Sequence, residues 1–277
     1  MPELPEMQAL SERLHEVYAG ARVTRVDVLQ FSALKTVTPS PRDLHGKEVL
    51  RVGRRGKYLV FDLPSVRLLV HLSQGGRVDI EDPPKSTKPK GALVRVRFDG
   101  RPALFVKEFG TERKAAWWVL EPDDPGPLEG LGPEPVSDEF TDFLTAGEDR
   151  RRLHTMLRDQ RTVAGIGRGF ADDILHHARL SPFDPLSSLD EEERRRLVDA
   201  IEEVLARALD RERAREGGLP AKMHDRFTVH GRYGQTCPRC GAALRRVSYE
   251  SYEVTYCPDC QTRGRVLADR RMSRFLR

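Results

Sequence analysis

The first six residues of the chain, MPELPE, place an amino group beside two carboxylates. Methionine is normally removed before a small residue, and removal of Met1 would expose the secondary amine of Pro2. An α-amino group has an unshifted pKa near ~8, so Pro2 would be a usable nucleophile at neutral pH. Glu3 and Glu6 lie one helical turn apart, and a carboxylate beside an attacking amine can act as a general acid. Either glutamate alone is better explained by a solvated helix face, so this interpretation depends on the combination.

The four cysteines form two CxxC pairs, sixteen residues apart and within the last 41 residues: Cys237, Cys240, Cys257 and Cys260. Four thiolates at this spacing can close a tetrahedral Zn²⁺ site that has no open position, so we predict one structural zinc ion. The tyrosines between the pairs have hairpin spacing, which suits a β-ribbon. A redox role is the alternative for a single CxxC pair, and the presence of two pairs disfavours it.

A glycine-rich turn precedes a helical segment in the second half of the chain, with Gly165 and Gly167 followed by Arg168. Glycines allow the backbone to approach a ligand closely, and the N–H groups that begin a helix favour an anion. Arg168 adds a positive charge, so we predict a phosphate contact. A tight turn between two helices is the structural alternative. No strand precedes the turn, which argues against a dinucleotide-binding motif.

The elements that position these residues follow from the hydrophobic pattern. A helix is predicted over 4–17, followed by six β-rich runs at 22–29, 57–63, 66–72, 92–99, 102–109 and 115–120. Val94, Val96 and Phe98 alternate with polar residues, as in a half-buried antiparallel strand. Glycines and prolines between the runs indicate a sandwich or barrel. The stretch 121–149 has ten acidic residues, five prolines and no lysine or arginine, which is typical of a linker.

The second half of the chain begins with helices. Leu153, Met156 and Leu157 share one helix face, and a later helix presents an apolar face over 197–208. Ser188 and Glu191 have the spacing of a capping box, so we predict that they begin this later helix.

Length and composition exclude several classes of protein. At about 100–200 residues per domain, 277 residues predict two domains, with room for a small third module. No apolar run approaches about 18 residues, so no membrane span is expected. The N-terminus is acidic where a secretory signal needs a basic start and an apolar stretch, so we expect a cytoplasmic protein. Four clustered cysteines exclude a secreted fold that depends on disulfides.

Charge is distributed unevenly along the chain. Residues 211–277 carry 15 lysines and arginines against 7 acidic residues, whereas residues 1–210 carry 32 against 36. A basic C-terminal third points to a polyanionic partner. A basic tail that only keeps the protein soluble is the alternative.

Seven motifs occur together and in order along the chain: MPELPE, RGKY at 55–58, HL at 71–72, GLGPEPVSDEF at 130–140, DQRTVAGIG at 159–167, HGRYGQTC at 230–237 and the four-cysteine ribbon. This combination resembles the formamidopyrimidine-DNA glycosylase/endonuclease VIII family over nearly the whole chain. The resemblance implies an α+β fold with an N-terminal β-sandwich and helix (1–120), the acidic linker (121–149), a helix–two-turn–helix domain (150–229), a zinc ribbon (230–264) and a basic tail (265–277).

The resemblance also implies roles for individual residues. Pro2 is the Schiff-base nucleophile at C1′ of the damaged nucleotide, Glu3 is the acid that helps open the deoxyribose ring, and Glu6 supports the site. Lys57, also counted among the catalytic candidates, and His71 contact phosphates near the lesion. The glycine-rich turn grips the DNA backbone, and the ribbon inserts at the minor groove. The target nucleotide must be flipped out of the stack, because C1′ is otherwise unreachable.

The chain departs from the family pattern at several DNA-contacting positions. Arg168 replaces the usual asparagine, His154 replaces a lysine, Tyr252 replaces the arginine at the ribbon tip, and Gln74 replaces a methionine wedge. The loop that normally fills the vacated stack aligns with 111–114, which includes Arg113 and has no aromatic residue. Gln74, Arg113 and Tyr252 therefore remain DNA-binding candidates with altered chemistry. The segment 217–229 is short for a lid that grips an oxidised purine, which favours oxidised pyrimidines.

The first hypothesis is a base-excision-repair glycosylase with AP lyase activity, acting as a monomer on double-stranded DNA that contains damaged bases or abasic sites. We expect it in the cytoplasm, associated with the nucleoid. A non-catalytic damaged-DNA-binding protein on the same fold is the second hypothesis, and an unrelated zinc-ribbon regulator is the third. Covalent trapping with borohydride separates the first hypothesis from the other two.

Overall fold

The computed structural model describes residues 1–110, 112–219, 226–249 and 252–267. The chain divides into two compact units, the first formed by residues 1–130 with 208–223 and the second by residues 131–207 with 224–277. Three predicted segments fall partly outside the described residues. These are the loop 111–114, of which Thr111 is not described, the lid segment, of which 220–225 is not described, and the basic tail from 268 onward.

The first unit begins with helix α1 and continues with two four-stranded antiparallel sheets. The strand orders are β1-β6-β7-β5 and β2-β3-β4-β8. The elements are α1 (Leu4–Tyr18), β1 (Val23–Val28), β2 (Arg51–Arg55), β3 (Tyr58–Leu63), β4 (Val66–His71), β5 (Gly76–Glu81), β6 (Ala92–Phe98), β7 (Arg101–Glu108) and β8 (Ala116–Leu120). Side chains from α1 and both sheets share one hydrophobic core, which confirms the predicted sandwich.

Two strands of the first unit are not predicted by the sequence pattern. β2 is rich in arginine and β5 reads GRVDIE, so neither shows a clear apolar alternation. β6 pairs antiparallel with β1 and β7, as predicted, but one of the three polar positions of the predicted run is not exposed: Arg97 is partly buried and Asp99 exposed, whereas Arg95 is buried. Arg95 is only 1% exposed and pairs with Glu81 on β5 at 2.7 Å. Its guanidinium also lies 4.7 Å from the ring centroid of Phe105.

The second unit is helical and ends in a two-stranded ribbon. Its elements are α2 (Asp138–Ala146), α3 (Leu153–Arg158), α4 (Arg168–Ala178), α5 (Glu191–Arg213), β9 (Arg245–Ser248), β10 (Glu253–Tyr256) and α6 (Pro258–Gln261). The C-terminal end of α5, from residue 208, belongs to the first unit. β9 and β10 pair antiparallel, as the sequence predicts.

Two local predictions in the second half differ from the structure. The stretch interpreted as a linker contains α2, which Ser137 caps and whose Phe140 and Leu144 are buried. The capping box of α5 is formed by Asp190 and Glu193 instead of Ser188 and Glu191. Ser188 lies in a preceding 3-10 turn, where its hydroxyl donates to the carbonyl of Pro185.

Candidate functional site

The N-terminus brings Pro2 and two carboxylates together at the start of α1. Glu3 occupies the N-cap position and is 3% exposed, and Glu6 is also buried. The backbone N–H of Glu3 donates to a carboxylate oxygen of Glu6 at 2.8 Å. Glu6 therefore fixes the backbone at Glu3 and, through it, the position of Pro2. This geometry suits a supporting role for Glu6 and leaves Glu3 as the acid that we predict.

Strand β2 leads to Lys57 and is attached to α1. The Nε of Arg54 donates to Oε1 of Gln8 at 2.8 Å, and the N–H of Val52 donates to Nδ1 of His15 at 3.2 Å. Lys57 follows Gly56, whose φ of +54° makes the turn between β2 and β3. The Lys57 side chain is buried.

His71 lies at the end of β4, opposite Tyr58 of β3, and the two rings are 4.6 Å apart. Burial of the imidazole, together with the positive charge of Lys57, lowers the pKa of His71 to about 4. His71 is therefore neutral at pH 7 and can offer a hydrogen bond but no charge. Of this predicted phosphate-binding pair, only Lys57 supplies positive charge.

Gln74 lies exposed in the tight turn that follows β4. The N–H of Gly76 donates to the carbonyl of Leu72 at 2.7 Å. A Cβ on Gly75 would lie 2.1 Å from the carbonyl oxygen of Phe109, so this position requires glycine. The turn therefore holds the Gln74 side chain in solvent, beside the segment that follows β7.

Phe109 begins that segment and is a candidate that the sequence does not reveal. Its N–H donates to the carbonyl of Gly75 at 2.9 Å, and its side chain is 46% exposed. Oε1 of Glu108 accepts the N–H groups of Lys114 and Ala115, each at 2.9 Å, which closes the loop. Arg113 is exposed within this loop, whereas Thr111 lies outside the described residues. The only signal in the sequence is an apolar residue that ends a strand run just before a glycine.

The glycine-rich turn is held by the side chain of Gln160. Its Oε1 accepts the N–H of Gly165 at 3.0 Å, and its Nε2 donates to the carbonyl of Ile166 at 2.7 Å. Gly167 then serves as the N-cap of α4, and Arg168 is the first helical residue. A Cβ on Gly169 would lie 2.0 Å from the ring of Phe227, so glycine is also required there for packing. The structure thus confirms a turn that leads into a helix.

The four cysteines converge in the ribbon, and all their sulfur atoms lie within 4.8 Å of one another. Cys240 and Cys257 are 3.4 Å apart, and Cys237 and Cys260 are 4.0 Å apart. A tetrahedral site with Zn–S bonds of about 2.3 Å requires sulfur separations of about 3.8 Å. The donor set and spacing therefore fit one zinc ion, which these four thiolates hold as a structural element.

Two neighbouring carboxylates on α4 anchor the segment around the ribbon. Asp173 accepts backbone N–H groups from Thr228 at 2.6 Å and Val229 at 2.8 Å. Asp172 is fully buried, with Nδ1 of His230 at 2.6 Å from one carboxylate oxygen and Nε2 of His154 at 3.3 Å from the other. His154 is thus buried beside a carboxylate and is not exposed to solvent.

Tyr252 lies at the turn of the ribbon and stacks on Tyr249, with ring centroids 4.5 Å apart. The guanidinium carbons of Arg158 and Arg168 lie 4.1 Å and 5.4 Å from its ring centroid. Two predicted DNA-binding residues, Arg168 and Tyr252, are therefore adjacent within the second unit.

Known proteins match the chain along almost its whole length. Residues 1–111 match the family described as the formamidopyrimidine-DNA glycosylase N-terminal domain, 131–216 its H2TH domain, and 234–263 a zinc finger found in FPG and IleRS. A formamidopyrimidine-DNA glycosylase of Thermus thermophilus is 35% identical over 279 residues, which cover 95% of this chain and 100% of the relative. The chain belongs to the formamidopyrimidine-DNA glycosylase family.

Solved structures of this family share the fold. The crystal structure of MutM (Fpg) from Thermus thermophilus has a TM-score of 0.79 and 33% identity, covering 94% of this chain and 99% of that one. A complex of Lactococcus lactis Fpg with DNA that contains an abasic site has a TM-score of 0.81 and 25% identity, with the same coverage. These matches confirm the predicted resemblance, the fold class and the zinc site. In the described part of the chain, no helix has the length and apolar character needed to span a bilayer.

Proposed function

We propose that the chain is a base-excision-repair DNA glycosylase with AP lyase activity, acting on duplex DNA that contains damaged bases or abasic sites. The observation that carries this proposal is the arrangement at the start of α1. Pro2 directly precedes the buried Glu3, and the carboxylate of Glu6 fixes the backbone at Glu3. A relative that matches 95% of this chain is named formamidopyrimidine-DNA glycosylase, which supports the glycosylase part of the proposal.

The chemistry requires that Met1 be removed, since an amide nitrogen cannot act as the nucleophile. The Pro2 amine then bonds to C1′ of the deoxyribose as the bond from C1′ to the damaged base breaks, and the proton that the amine loses goes to the departing base. Glu3 protonates the ring oxygen, so that the C1′–O4′ bond breaks and the sugar opens to an iminium. The iminium acidifies the C2′ proton, and transfer of that proton to water expels the 3′ phosphate and cleaves the strand. Glu6 maintains the geometry and does not enter the bond changes.

The contacts that hold the DNA are proposed from charge and exposure. Lys57 and Arg168 supply positive charge to phosphates, and His71 adds a neutral hydrogen bond near Lys57. Gln74 and Phe109 occupy the space that the flipped nucleotide leaves. Both are exposed, and the hydrogen bond between the segments that carry them keeps them close together.

The lesion class follows less directly from the chain. The short 217–229 segment favours oxidised pyrimidines, and this stays a prediction because 220–225 lies outside the described residues. The relatives are named for formamidopyrimidines, which are ring-opened purines. Excision rates on a panel of oxidised purines and pyrimidines, each opposite all four bases, decide between these classes.

We also propose that the protein acts as a monomer on nucleoid DNA in the cytoplasm. We propose the domain boundaries predicted from the sequence as well, except that α2 belongs to the second unit and not to a linker. Size-exclusion chromatography with light scattering, with and without a duplex that contains an abasic site, measures the oligomeric state. A stable dimer in the absence of DNA would contradict the proposed monomer.

Borohydride trapping on abasic DNA tests the catalytic proposal. The processed chain, verified by mass spectrometry to begin at Pro2, should form a covalent adduct, and a form that retains Met1 should not. Glu3→Gln should lose base excision while it keeps some cleavage of preformed abasic sites. Undiminished trapping by the form that retains Met1 would move the nucleophile elsewhere, with Lys57 the first candidate. Tight binding of abasic DNA with no trapping by the processed chain would favour the non-catalytic damaged-DNA-binding protein.

A further inference from the structure

Two stacked aromatic rings flank the turn of the ribbon. Tyr249 directly follows β9, and Tyr252 directly precedes β10. The N–H of Tyr249 donates to the carbonyl of Tyr252 at 2.8 Å. Their rings stack at 4.5 Å with planes 12° apart. Both side chains are only partly buried, so the stacked pair reaches solvent.

Three arginines converge on this pair. Arg158 lies over the Tyr252 ring at 4.1 Å, within the range of a cation–π contact, and Arg168 lies at 5.4 Å. Nη1 of Arg152 donates to the Tyr249 hydroxyl at 2.9 Å. Arg152, Arg158, Arg168, Tyr249 and Tyr252 are here called the tyrosine–arginine cluster.

Two arginines of the cluster, Arg152 and Arg158, contribute positive charge that the described part of the chain does not balance. Within residues 1–110, 112–219, 226–249 and 252–267, no carboxylate pairs with Arg152 or Arg158. The Nε of Arg158 is buried and has no hydrogen-bond partner among those residues. Asp172, which belongs to the same unit, pairs with His230 and accepts the N–H of Thr255, and no arginine among the described residues pairs with it. A partly buried guanidinium without an anion is costly, so the cluster is suited to an anion from another molecule.

We propose that Arg152 and Arg158 bind the phosphodiester backbone of DNA, with Tyr249 and Tyr252 as the residues that position them. A guanidinium presents a planar fork of donors that matches a phosphate, and an aromatic ring against one face limits the orientations that the fork can take. This inference rests on the proposed function for its polyanionic ligand. It adds a phosphate site to the contacts already proposed at Lys57 and Arg168.

The test measures binding of fluorescent undamaged and abasic-analogue duplexes between about 50 and 200 mM salt. Arg158→Met should weaken binding of both duplexes about tenfold at low salt and reduce the salt slope by about 0.9, the value for one lost phosphate contact. The matched control is Arg195→Met, since Arg195 is an exposed arginine that pairs with Glu191 on α5. Arg195→Met should leave both the affinity and the slope unchanged.

The tyrosines are tested by exchanging ring and hydroxyl separately. Tyr252→Phe keeps the ring and should bind like the parent, whereas Tyr252→Leu should reproduce the slope of Arg158→Met. The double variant Arg158→Met/Tyr252→Leu should bind within about twofold of Arg158→Met, because both changes remove one interaction. Tyr249→Phe removes only the hydroxyl that accepts from Arg152 and provides a milder second variant. Zinc content and thermal unfolding identify any variant that has not folded.

Two outcomes overturn the inference. An unchanged salt slope in folded Arg158→Met would mean that the cation–π contact only stabilises the ribbon. A loss confined to the abasic-analogue duplex would mean that Arg158 reads the lesion and does not contact a phosphate. Trapping of the parent on abasic DNA is measured in parallel. Failure of that control would refute the proposed function, whereas normal trapping with an unchanged slope would refute this inference alone.

Discussion

Removal of zinc should unfold the ribbon and abolish DNA binding while the first unit stays folded. The apolar cluster next to the cysteines is small: besides Cys237 and Cys257 it contains Val229 and Leu244 as buried residues. Strands β9 and β10 add the buried Val247, Val254 and Tyr256. Burial of an aliphatic side chain contributes about 1.5–3 kcal/mol, whereas zinc binding to sites of this kind contributes about 10–16 kcal/mol. The metal therefore contributes as much as several buried side chains together, and the ribbon should not keep its fold without it.

The measurement combines three readouts on the full chain. Elemental analysis should find one zinc ion per chain in the parent and none after chelation or in Cys260→Ser. Limited proteolysis with mass spectrometry should then cut within 230–264 and spare the β-sandwich. DNA affinity should fall to the level of non-specific background. Tyr233→Phe, a conservative change at an exposed ribbon residue, is the control and should retain zinc and binding.

The refuting result is a zinc-free chain that binds DNA as tightly as the parent and resists proteolysis in the ribbon. The hydrogen bonds from the Thr228 and Val229 N–H groups to Asp173 could contribute to such resistance, since each bond to a charged group stabilises by about 1.5–3 kcal/mol. Asp173→Ala in the zinc-free chain would then show whether these bonds, and not the metal, hold the segment.

Three further predictions concern the site itself. His71 prefers its neutral form in the folded chain, so the Tm of the parent should fall as the pH drops from about 6.5 to about 4, and His71→Gln should remove part of that decline. Phe109→Ala should slow base excision about tenfold through lost stacking without lowering Tm, whereas Phe31→Ala, at a residue that is 79% exposed, should change neither. Arg168→Ala should weaken binding of damaged and undamaged duplexes equally, because a phosphate contact carries no sequence information. Lesion-selective loss in that variant would make Arg168 a base reader.

The sequence by itself determined the features in which the interacting residues are close together along the chain. Glu3 and Glu6 meet because three residues make nearly one helical turn, and the hydrogen bond between them follows from that spacing. Each CxxC pair places two sulfur atoms on one side of a tight turn, and the hairpin between the pairs brings the four together. The glycine-rich turn is also local, since Gln160 holds it from within seven residues. The order of the seven motifs along the chain is by itself specific enough to identify the family.

Tertiary structure decided the properties that depend on partners distant in sequence. The charge state of His71 depends on burial and on Lys57, which reaches it only through the pairing of β3 with β4. The alternating pattern of β6 predicts an exposed Arg95. In the structure Arg95 is buried, because Glu81 on β5 pairs with it. Arg158 contacts the ring of Tyr252, which lies in the ribbon nearly a hundred residues later in the sequence. A spacing rule describes only the geometry of one helix, strand or turn, whereas burial and charge pairing are set by whichever elements pack together.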